Sequence, residues 1–287
     1  NENIDIESEF ILDDFPYLPH FIVIDQHMIS YIDEGKDTAT PILLLHGVPS
    51  WSYLFRKIIP ELLLNGHRVI APDLLGFGRS EHPKSKSIYS YEYLCSLLTQ
   101  FIKKLNLNHI LLFGHDWGGI LGLGLATDNK ARFSALIMSN GFLPRGDEKV
   151  PIIFFLWKLF TRVSPILPVG KMISWGCKTK LKKSEKRAYD LPFHATKNKL
   201  AIKLLPQLLP FKDNSDKKKA QQVWRELEQW EKPLLTLFSE QDPFSYGGGE
   251  ILEKHIPGAK GQEHIRIKGK HFSPEAAPQE ITTAILR

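Results

Sequence analysis

Eight short apolar runs, separated by stretches with helical periodicity, constrain the fold of this chain more than any other feature. Runs such as 42–45 are apolar on both faces, which is typical of strands in a parallel sheet. The alternation predicts an α/β protein with a mostly parallel, eight-stranded sheet flanked by helices. We expect strands at 21–25, 28–33, 42–46, 68–71, 110–113, 135–138, 234–238 and 264–267, and helices at 50–64, 90–105, 117–127, 245–255 and 274–286.

The alternation stops between residues 142 and 225. This stretch contains no convincing strand, is rich in Lys, Leu, Phe and Pro, and has the pattern of several short helices. The simplest interpretation is one α/β core domain, 1–141 and 226–287, interrupted by a helical cap subdomain at 142–225.

Composition excludes several classes of protein. Cys95 and Cys177 are too few for a disulfide scaffold or a cysteine-based zinc site, so we expect a reducing compartment and a cytoplasmic protein. The longest apolar patch, 151–160, is shorter than the ~18 residues of a membrane span and is interrupted by Lys158. Residues 1–14 are acidic and lack the pattern of a signal peptide.

Net charge is +5, with basic runs at 178–187 and 217–219. Such runs can mark nucleic-acid or anionic-membrane binding. No aromatic residues are interleaved with these lysines and no nucleic-acid motif accompanies them, so we interpret the runs as solvated surface and expect neither nucleic acid nor a membrane as partner.

A strand-to-helix junction at 110–127 carries the clearest chemical signal. The apolar strand ILLF leads into Gly114-His115-Asp116-Trp117-Gly118, which is followed by an apolar helix. This is the nucleophile elbow G-x-nucleophile-x-G, with Asp at the place where Ser is usual. The helix N-terminus behind Asp116 favours an anion, so we expect its carboxylate to stay ionised. An Asp that simply caps the helix is the alternative.

Further residues complete a hydrolase pattern. HGVPSW follows strand 42–46, where this fold offers a backbone N–H to an oxyanion hole; the donors here are Val48 and Trp117. Asp242 follows strand 234–238 and His271 follows strand 264–267, and the order nucleophile, acid, histidine is that of an α/β-hydrolase triad. In PDLLGFGRS, Asp73 and Arg79 are interpreted as a structural pair.

The sequence resembles the haloalkane dehalogenases, nearest the subfamily whose catalytic acid follows the seventh strand. The resemblance covers nearly the whole chain, and the cap motifs point to this family more specifically than the elbow, since epoxide hydrolases have similar elbows. The motifs that carry it are FPYLPH (15–20), HGVPSWSYLFRK (46–57), APDLLGFGRS (71–80), GHDWGG (114–119), FFLW (154–157), LPVG (167–170), AYDLPF (188–193), FSEQDP (238–243), IPGAKGQ (256–262) and GKHF (269–272).

This resemblance implies an activity and a set of roles. Asp116 attacks the carbon that bears the halogen and forms an alkyl ester, while the indole N–H groups of Trp117 and Trp157 bind the leaving halide. His271, oriented by Asp242, then activates water, and no metal or organic cofactor is required. The expected partners are a small hydrophobic halogenated substrate and the halide ion, and the expected state is a monomer or weak homo-oligomer.

Other aromatic and apolar residues are assigned by position. Nearness to the motifs makes Ile120, Phe154 and Phe244 candidates for the apolar lining of the substrate pocket. The remaining tryptophans are interpreted as packing or interface aromatics. They are Trp51, Trp175, Trp224 and Trp230.

Two residues depart from the family pattern. Val48 stands where close relatives carry Glu or Asn, so the backbone donor is kept and a side-chain hydrogen bond to water or halide is lost. Such a loss in a buried site costs ~1–3 kcal/mol, which predicts low activity on ordinary haloalkanes or a different substrate. Lys270 stands where relatives tend to have Gly.

Three other functions remain open at this stage. An epoxide hydrolase uses the same aspartate but needs cap tyrosines, and the cap offers only Tyr189. A degenerate hydrolase kept as a binding protein is supported only by Val48 and opposed by the intact triad. A serine esterase is disfavoured, because no Ser occupies the elbow.

Overall fold

Eight strands form one sheet in the order β1-β2-β4-β3-β5-β6-β7-β8. The computed structural model describes residues 12–145, 151–194, 196–209, 215–245 and 247–287. The first two strands pair antiparallel, β2 also runs antiparallel to β4, and the strands from β4 to β8 are parallel. The strands are β1 (His20–Ile24), β2 (His27–Glu34), β3 (Pro41–Leu45), β4 (Arg68–Pro72), β5 (Ile110–His115), β6 (Phe133–Ser139), β7 (Leu234–Ser239) and β8 (Ile265–Ile267).

The predicted eight-stranded α/β sheet is therefore confirmed. All eight apolar runs are strands, and every residue of β3 is buried, as a central parallel strand with helices on both faces requires. The bounds differ from the expected ones by one or two residues at either end. β5 ends two residues later than expected, and β6 begins two residues earlier and ends one residue later.

Eleven α-helices lie in the described ranges. Two segments expected as single helices are divided, because Pro60 and Pro278 start new helices: proline fits the first turn but interrupts a helix interior. The helices are α1 (Ile59–Leu64), α2 (Tyr91–Lys104), α3 (Trp117–Asp128), α4 (Ile152–Val163), α5 (Val169–Trp175), α6 (Lys183–Asp190), α7 (Leu200–Leu208), α8 (Ser215–Leu227), α9 (Gly248–His255), α10 (Ser273–Ala276) and α11 (Pro278–Leu286).

Between β6 and β7 the described chain is helical. Helix α4 packs on α7, and α5 packs on α6. Helix α8 instead packs against α2 and α3, which belong to the layer beside the sheet. We therefore propose that the cap segment comprises α4 to α7 and ends before Ser215, earlier than the expected boundary at 225.

The carboxyl ends of the parallel strands meet at one edge of the sheet. The loops after β3, β5, β7 and β8 carry the four motifs that the sequence singles out, so the topology brings them to the same edge. The cap segment follows β6 and contributes residues above this edge. No described helix has the length and apolar character that a transmembrane span needs.

Candidate active site

The elbow between β5 and α3 holds Asp116 in a strained conformation. Asp116 has φ 52° and ψ −121°, a region that non-glycine residues rarely adopt, and such strain is found mainly at functional sites. Its N–H donates to the Ser139 carbonyl over 3.0 Å. A Cβ at position 118 would lie 2.0 Å from the Leu45 carbonyl oxygen, so the close approach of α3 to β3 requires Gly118.

The Asp116 carboxylate points away from the sheet toward the loop that follows β3. The Val48 N–H donates to Oδ2 of Asp116 over 2.8 Å. Burial raises the pKa of Asp116 above its ordinary value, while His271 and the N–H groups of Trp117 and Val48 act in the opposite direction. The sequence-based expectation that Asp116 stays ionised considered only the groups that lower its pKa. It left out the desolvation of a buried carboxylate, which raises the pKa.

His271 lies between the two carboxylates that the sequence singled out. Its Nε2 is 3.6 Å from Oδ1 of Asp116, and its Nδ1 is 3.0 Å from Oδ2 of Asp242. Burial opposes the charging of this imidazole, but Asp242 and then Asp116 outweigh it and raise the pKa of His271 to about 9. The three residues thus form one hydrogen-bonding and electrostatic unit, although their positions in the sequence are far apart.

Asp242 is held by groups close to it in sequence. The Phe244 N–H donates to Oδ1 over 3.0 Å, and the Ser245 hydroxyl donates to Oδ2. Burial favours the neutral acid, yet His271 and these donors outweigh it and lower the pKa of Asp242. The anion is therefore the stable form, as the partner of a histidine base requires.

Two buried residues that sequence reasoning missed hold the His271 backbone. Asn140 donates from Nδ2 to the His271 carbonyl over 2.6 Å, and Nε2 of His115 lies 2.9 Å from the same oxygen. Burial lowers the pKa of His115 to about 3, so its imidazole is neutral and Nε2 is the donor. The sequence could have indicated Asn140 as a candidate site residue. It follows β6 at the carboxyl edge of the sheet, where polar residues are candidates for the site.

A largely apolar cavity lies above Asp116, with about 520 Å³ of empty space including its open mouth. Trp117, Trp157, Phe154 and Phe244 all line it, as the sequence-based assignment expected. Within the described ranges neither indole N–H meets a protein acceptor. The other lining residues are Val48, Pro49, Asp116, Met172, Trp175, Gly176, Pro206, His271 and Phe272.

Ile120 is not part of this lining, which corrects its assignment. It is buried in the hydrophobic core, and its carbonyl accepts from the Tyr91 hydroxyl. The reason is the rise of the helix: three residues after Trp117, Ile120 lies about 4.5 Å further along α3 and thus beneath the cavity floor.

The remaining tryptophans divide into two groups. Trp51, Trp224 and Trp230 are buried in the core, in agreement with the packing interpretation. Trp175 differs, because it lines the cavity and is 59% exposed, so it stands at the cavity mouth. Lys270 contacts it there, with Nζ 3.4 Å from the Trp175 carbonyl oxygen and 6.0 Å from the indole centroid.

Two polar groups near the site have structural roles. Asp73 accepts from the N–H groups of Ser52 and Arg79 over 2.8 and 2.9 Å, which agrees with the predicted structural pair. Tyr189 is fully buried and donates to Glu275. Among the described lining residues there is no tyrosine, so the cap tyrosine that an epoxide hydrolase would need is not at the cavity.

The described residues contain no group of three or more His, Cys, Asp or Glu side chains arranged to hold a metal ion. A carboxylate faces an apolar cavity beside two indoles, and a histidine paired with a second carboxylate lies 3.6 Å from it. This arrangement fits attack by a carboxylate on carbon, followed by hydrolysis.

The sheet topology, the elbow and the order of the three residues define an α/β hydrolase with a carboxylate at the nucleophile position. A family model described as alpha/beta hydrolase fold matches residues 40–165. The haloalkane dehalogenase of Psychrobacter cryohalolentis is 40% identical, covering 96% of this chain and 93% of that protein. The haloalkane dehalogenase of Mycolicibacterium paratuberculosis is 37% identical over the same shares. This chain belongs to the haloalkane dehalogenase family.

A solved structure extends the likeness to three dimensions. It is the tetrameric structure of a haloalkane dehalogenase from Paraglaciecola agarilytica NO2, which is 32% identical to this chain. The alignment covers 98% of this chain and 95% of the other, with a TM-score of 0.87. The fold and the family resemblance inferred from the motifs are both confirmed.

Proposed function

We propose that this chain hydrolyses haloalkanes to an alcohol and a halide through an alkyl ester on Asp116. The observation that carries the proposal is the position of the Asp116 carboxylate: it faces an apolar cavity lined by Trp117 and Trp157, with His271 Nε2 3.6 Å from it. Membership of the family supports the reaction type.

In the first step one carboxylate oxygen of Asp116 attacks the carbon that bears the halogen. A C–O bond forms while the C–X bond breaks, and the bonding pair leaves with the halide. The indole N–H groups of Trp117 and Trp157 donate to that anion, which an apolar cavity does not otherwise stabilise. Phe154 and Phe244 contact the alkyl part of the substrate.

In the second step His271 takes a proton from water, and the hydroxide attacks the ester carbonyl on Asp116. The Val48 N–H already donates to an Asp116 oxygen, and together with the Trp117 N–H it is placed to stabilise the oxyanion of the tetrahedral intermediate. Collapse of the intermediate breaks the C–O bond to the alkyl group's oxygen, the departing alkoxide takes the proton of the newly added hydroxyl to leave as the alcohol, and the Asp116 carboxylate is restored. His271 then releases its proton to solvent. Asp242 stabilises the imidazolium that forms meanwhile.

The decisive experiment uses His271→Phe, because His271 is needed for hydrolysis of the ester and not for its formation. After incubation with a brominated alkane, we expect one stoichiometric equivalent of bromide and an intact mass increased by the alkyl group. Asp116→Asn is the control and gains no mass. A His271→Phe protein that stays unmodified while turning over substrate would contradict the assignment.

We also propose a small hydrophobic halogenated substrate, a halide product and a cytoplasmic location. The apolar cavity supports the first two. The unpaired, buried thiols of Cys95 and Cys177 fit a reducing compartment. A monomer or weak homo-oligomer stays our prediction for the quaternary state, and light scattering at several protein concentrations tests it.

A further inference from the structure

The outward side of α4 is apolar along its whole length. Its exposed large side chains recur every three or four residues, which places them on one stripe of the helix. We call this stripe, with Ile166 just beyond the helix, the α4 apolar face. Seven of the thirteen exposed large hydrophobic side chains in the described ranges belong to it: Ile152, Phe155, Leu156, Leu159, Phe160, Val163 and Ile166.

The opposite side of α4 is already packed against the protein. Phe154 and Trp157 line the active-site cavity, Thr161 is fully buried, and the Lys158 ammonium donates to the Leu209 carbonyl. A rotation of the helix would therefore expose cavity-lining residues instead of burying the stripe. The apolar face is a consequence of how α4 must sit to supply Trp157, and only a helix thickness separates it from the cavity.

The cap segment is also far more basic than the rest of the chain. Residues 142–214 hold fifteen Lys and Arg against five Asp and Glu, a net charge of +10. The remaining residues hold 22 against 27, a net charge of −5. The overall charge of +5 thus conceals a strong asymmetry, and the apolar face lies in the basic part.

Some of these cations are exposed on or beside α4 and α5, the helices that also supply lining residues of the cavity. Arg162 is exposed on α4, and Lys171 is exposed on α5 four residues before Trp175, so that Lys171 and Trp175 share one face of that helix. Lys178 is exposed just after α5. Tryptophan with an apolar body and a polar N–H is enriched where proteins meet the membrane–water interface.

We infer that the α4 apolar face docks on an anionic lipid bilayer, with α4 in the plane of the interface and the cavity mouth beside it. An apolar helical face combined with surrounding cations is the combination that binds anionic membrane surfaces. A second copy of this chain fits the face less well, because joining two such faces brings two strongly basic cap segments together. This interaction is peripheral and requires no membrane span.

The inference departs from the sequence-based expectation that the basic runs are solvated surface and that a membrane is not a partner. In the sequence alone, those lysines indicate no binding partner, and the apolar run at 151–160 is too short for a membrane span. The structure places the basic run 178–187 in the same cap segment as α4, whereas the run 217–219 lies on α8 outside that segment. It leaves the apolar residues of α4 outward. For substrate delivery the inference rests on the proposed function: apolar haloalkanes concentrate in bilayers, and docking brings the cavity mouth to that source.

Co-sedimentation with vesicles tests the inference without any turnover. The full chain is mixed with vesicles of phosphatidylcholine alone, or of phosphatidylcholine with one-third phosphatidylglycerol (~33%). We expect binding to the anionic vesicles, at least tenfold weaker binding to the neutral ones, and about a tenfold loss when salt rises from ~0.05 to ~0.5 M. No binding to anionic vesicles at low salt, or equal binding to both kinds, overturns the inference.

Matched variants locate the contact. Leu156→Gln/Leu159→Gln should weaken the partition at least tenfold, whereas Leu64→Gln, which changes an 80% exposed leucine on α1, should leave it unchanged. Arg162→Gln/Lys171→Gln should weaken it about tenfold, and Lys103→Gln/Lys254→Gln, with the same change in charge on exposed residues of α2 and α9, should have little effect.

Three further results would count against the bilayer. If Leu156→Gln/Leu159→Gln is folded by circular dichroism and binds anionic vesicles as well as the wild type, the α4 apolar face is not part of the contact. If Arg162→Gln/Lys171→Gln and Lys103→Gln/Lys254→Gln weaken vesicle binding equally, Arg162 and Lys171 are not part of the contact. Self-association that these leucine substitutions abolish, without vesicle binding by the wild type, assigns the face to a second copy instead. Halide release is assayed separately, so failure of docking and failure of the proposed function remain distinguishable.

Discussion

His271 is the residue whose protonation state bears most directly on the proposed chemistry. Asp242 and Asp116 together raise its pKa to about 9 in the free enzyme. In the proposed mechanism, alkylation converts Asp116 into a neutral ester, which removes one of the two anions that stabilise the imidazolium. Formation of the intermediate therefore lowers the pKa of His271 and favours the neutral base that the second step needs.

Asp242→Asn tests this coupling. Because the base must be neutral, hydrolysis of the alkyl-enzyme should rise with pH through the pKa of His271 and level off above it. Removing the Asp242 anion should move this inflection to lower pH and slow the plateau rate about 100-fold or more, since the imidazole loses its orienting partner. Rapid-quench measurement of alcohol formation between about pH 5 and 10 gives the profile.

Glu263→Gln is the control for this measurement. Glu263 is exposed, and its ion pair within the described ranges is with Arg287. Its profile should match the wild type. An Asp242→Asn profile with an unchanged or higher inflection would contradict the proposed role of Asp242 in setting the pKa of His271.

Val48 provides a second test of how single residues of the site contribute to ester hydrolysis. Its N–H donates to Asp116, but its side chain brings only carbon to the cavity, where the family resemblance leads us to expect Glu or Asn. Water is then positioned mainly by His271 and backbone groups, which should slow ester hydrolysis more than ester formation. We expect a pre-steady-state burst in which halide appears before alcohol. Val48→Glu should shrink the burst, lowering the second barrier by ~1–2 kcal/mol.

Val48→Leu serves as the control, since it changes size without adding a polar group. It should keep the burst. If the wild type shows no burst, and a folded Val48→Glu protein hydrolyses the ester no faster, then water is positioned by another group.

Among the elements, α4 is the one that connects the cap segment to the chemistry. It brings Trp157 to the cavity, where its ring lies 5.7 Å from that of Phe244, and Phe244 in turn lies 5.2 Å from His271. Trp117 has a different origin, since it starts α3 directly after the nucleophile. The two proposed halide donors therefore depend on two elements that only packing brings together.

Trp157→Phe separates the contribution of α4 from that of α3. Bromide should quench the intrinsic fluorescence of the wild type saturably, and loss of the Trp157 indole N–H should weaken halide affinity about tenfold, as expected for one hydrogen bond to an anion. Carbon–halogen cleavage should slow as well. Trp175→Phe, at the cavity mouth, should retain saturable quenching. Equal halide affinity in wild type and Trp157→Phe would contradict the assignment.

At the scale of the whole molecule, a buried charge network joins regions that are far apart in the chain. The Arg56 guanidinium donates to Glu275 of α10, to Glu185 of α6 and to Asp14. Tyr189 donates to the same Glu275, four residues after His271. The network thus ties the cap segment and the histidine loop to the core, close to the site but outside the cavity.

Glu275→Gln should reduce the free energy of unfolding by about 3 kcal/mol, because it leaves part of the buried Arg56 charge uncompensated. Burial favours the neutral acid, but Arg56, Lys57 and Tyr189 outweigh it and lower the pKa of Glu275. A lowered pKa means that this stabilisation is present above the unfolded-state pKa and is lost as pH falls through the folded-state value. Urea unfolding at about pH 7 and pH 4 measures both effects.

The difference between Glu275→Gln and wild type should shrink at the lower pH, since Glu275 then begins to bind a proton in the unfolded wild-type chain while it stays ionised in the folded one. Glu263→Gln, at an exposed pair, should change stability by less than ~0.5 kcal/mol at either pH. A pH-independent loss in Glu275→Gln would mean that shape, and not charge, is what the side chain contributes.

Local sequence was sufficient to predict the strands of the sheet, the elbow, and Asp116, Asp242 and His271 as residues that meet at one edge of it. Strand runs such as 42–45 have no polar face, the close contact at Gly118 demands glycine, and Asp116, Asp242 and His271 each follow a strand whose end lies at one edge. These features depend on the period of apolar residues and on short-range geometry, which one segment carries by itself.

Tertiary packing decided the rest, because it depends on which helix faces meet. Ile120 lies one turn too deep to reach the cavity, Trp175 stands at its mouth, and Asn140 holds the His271 backbone from a different strand. The α4 apolar face is the clearest case: the sequence shows only an apolar run too short for a membrane span, and supplying Trp157 to the cavity turns its other apolar residues outward. A periodic pattern specifies that a helix has an apolar face, and only the packed structure determines what that face meets.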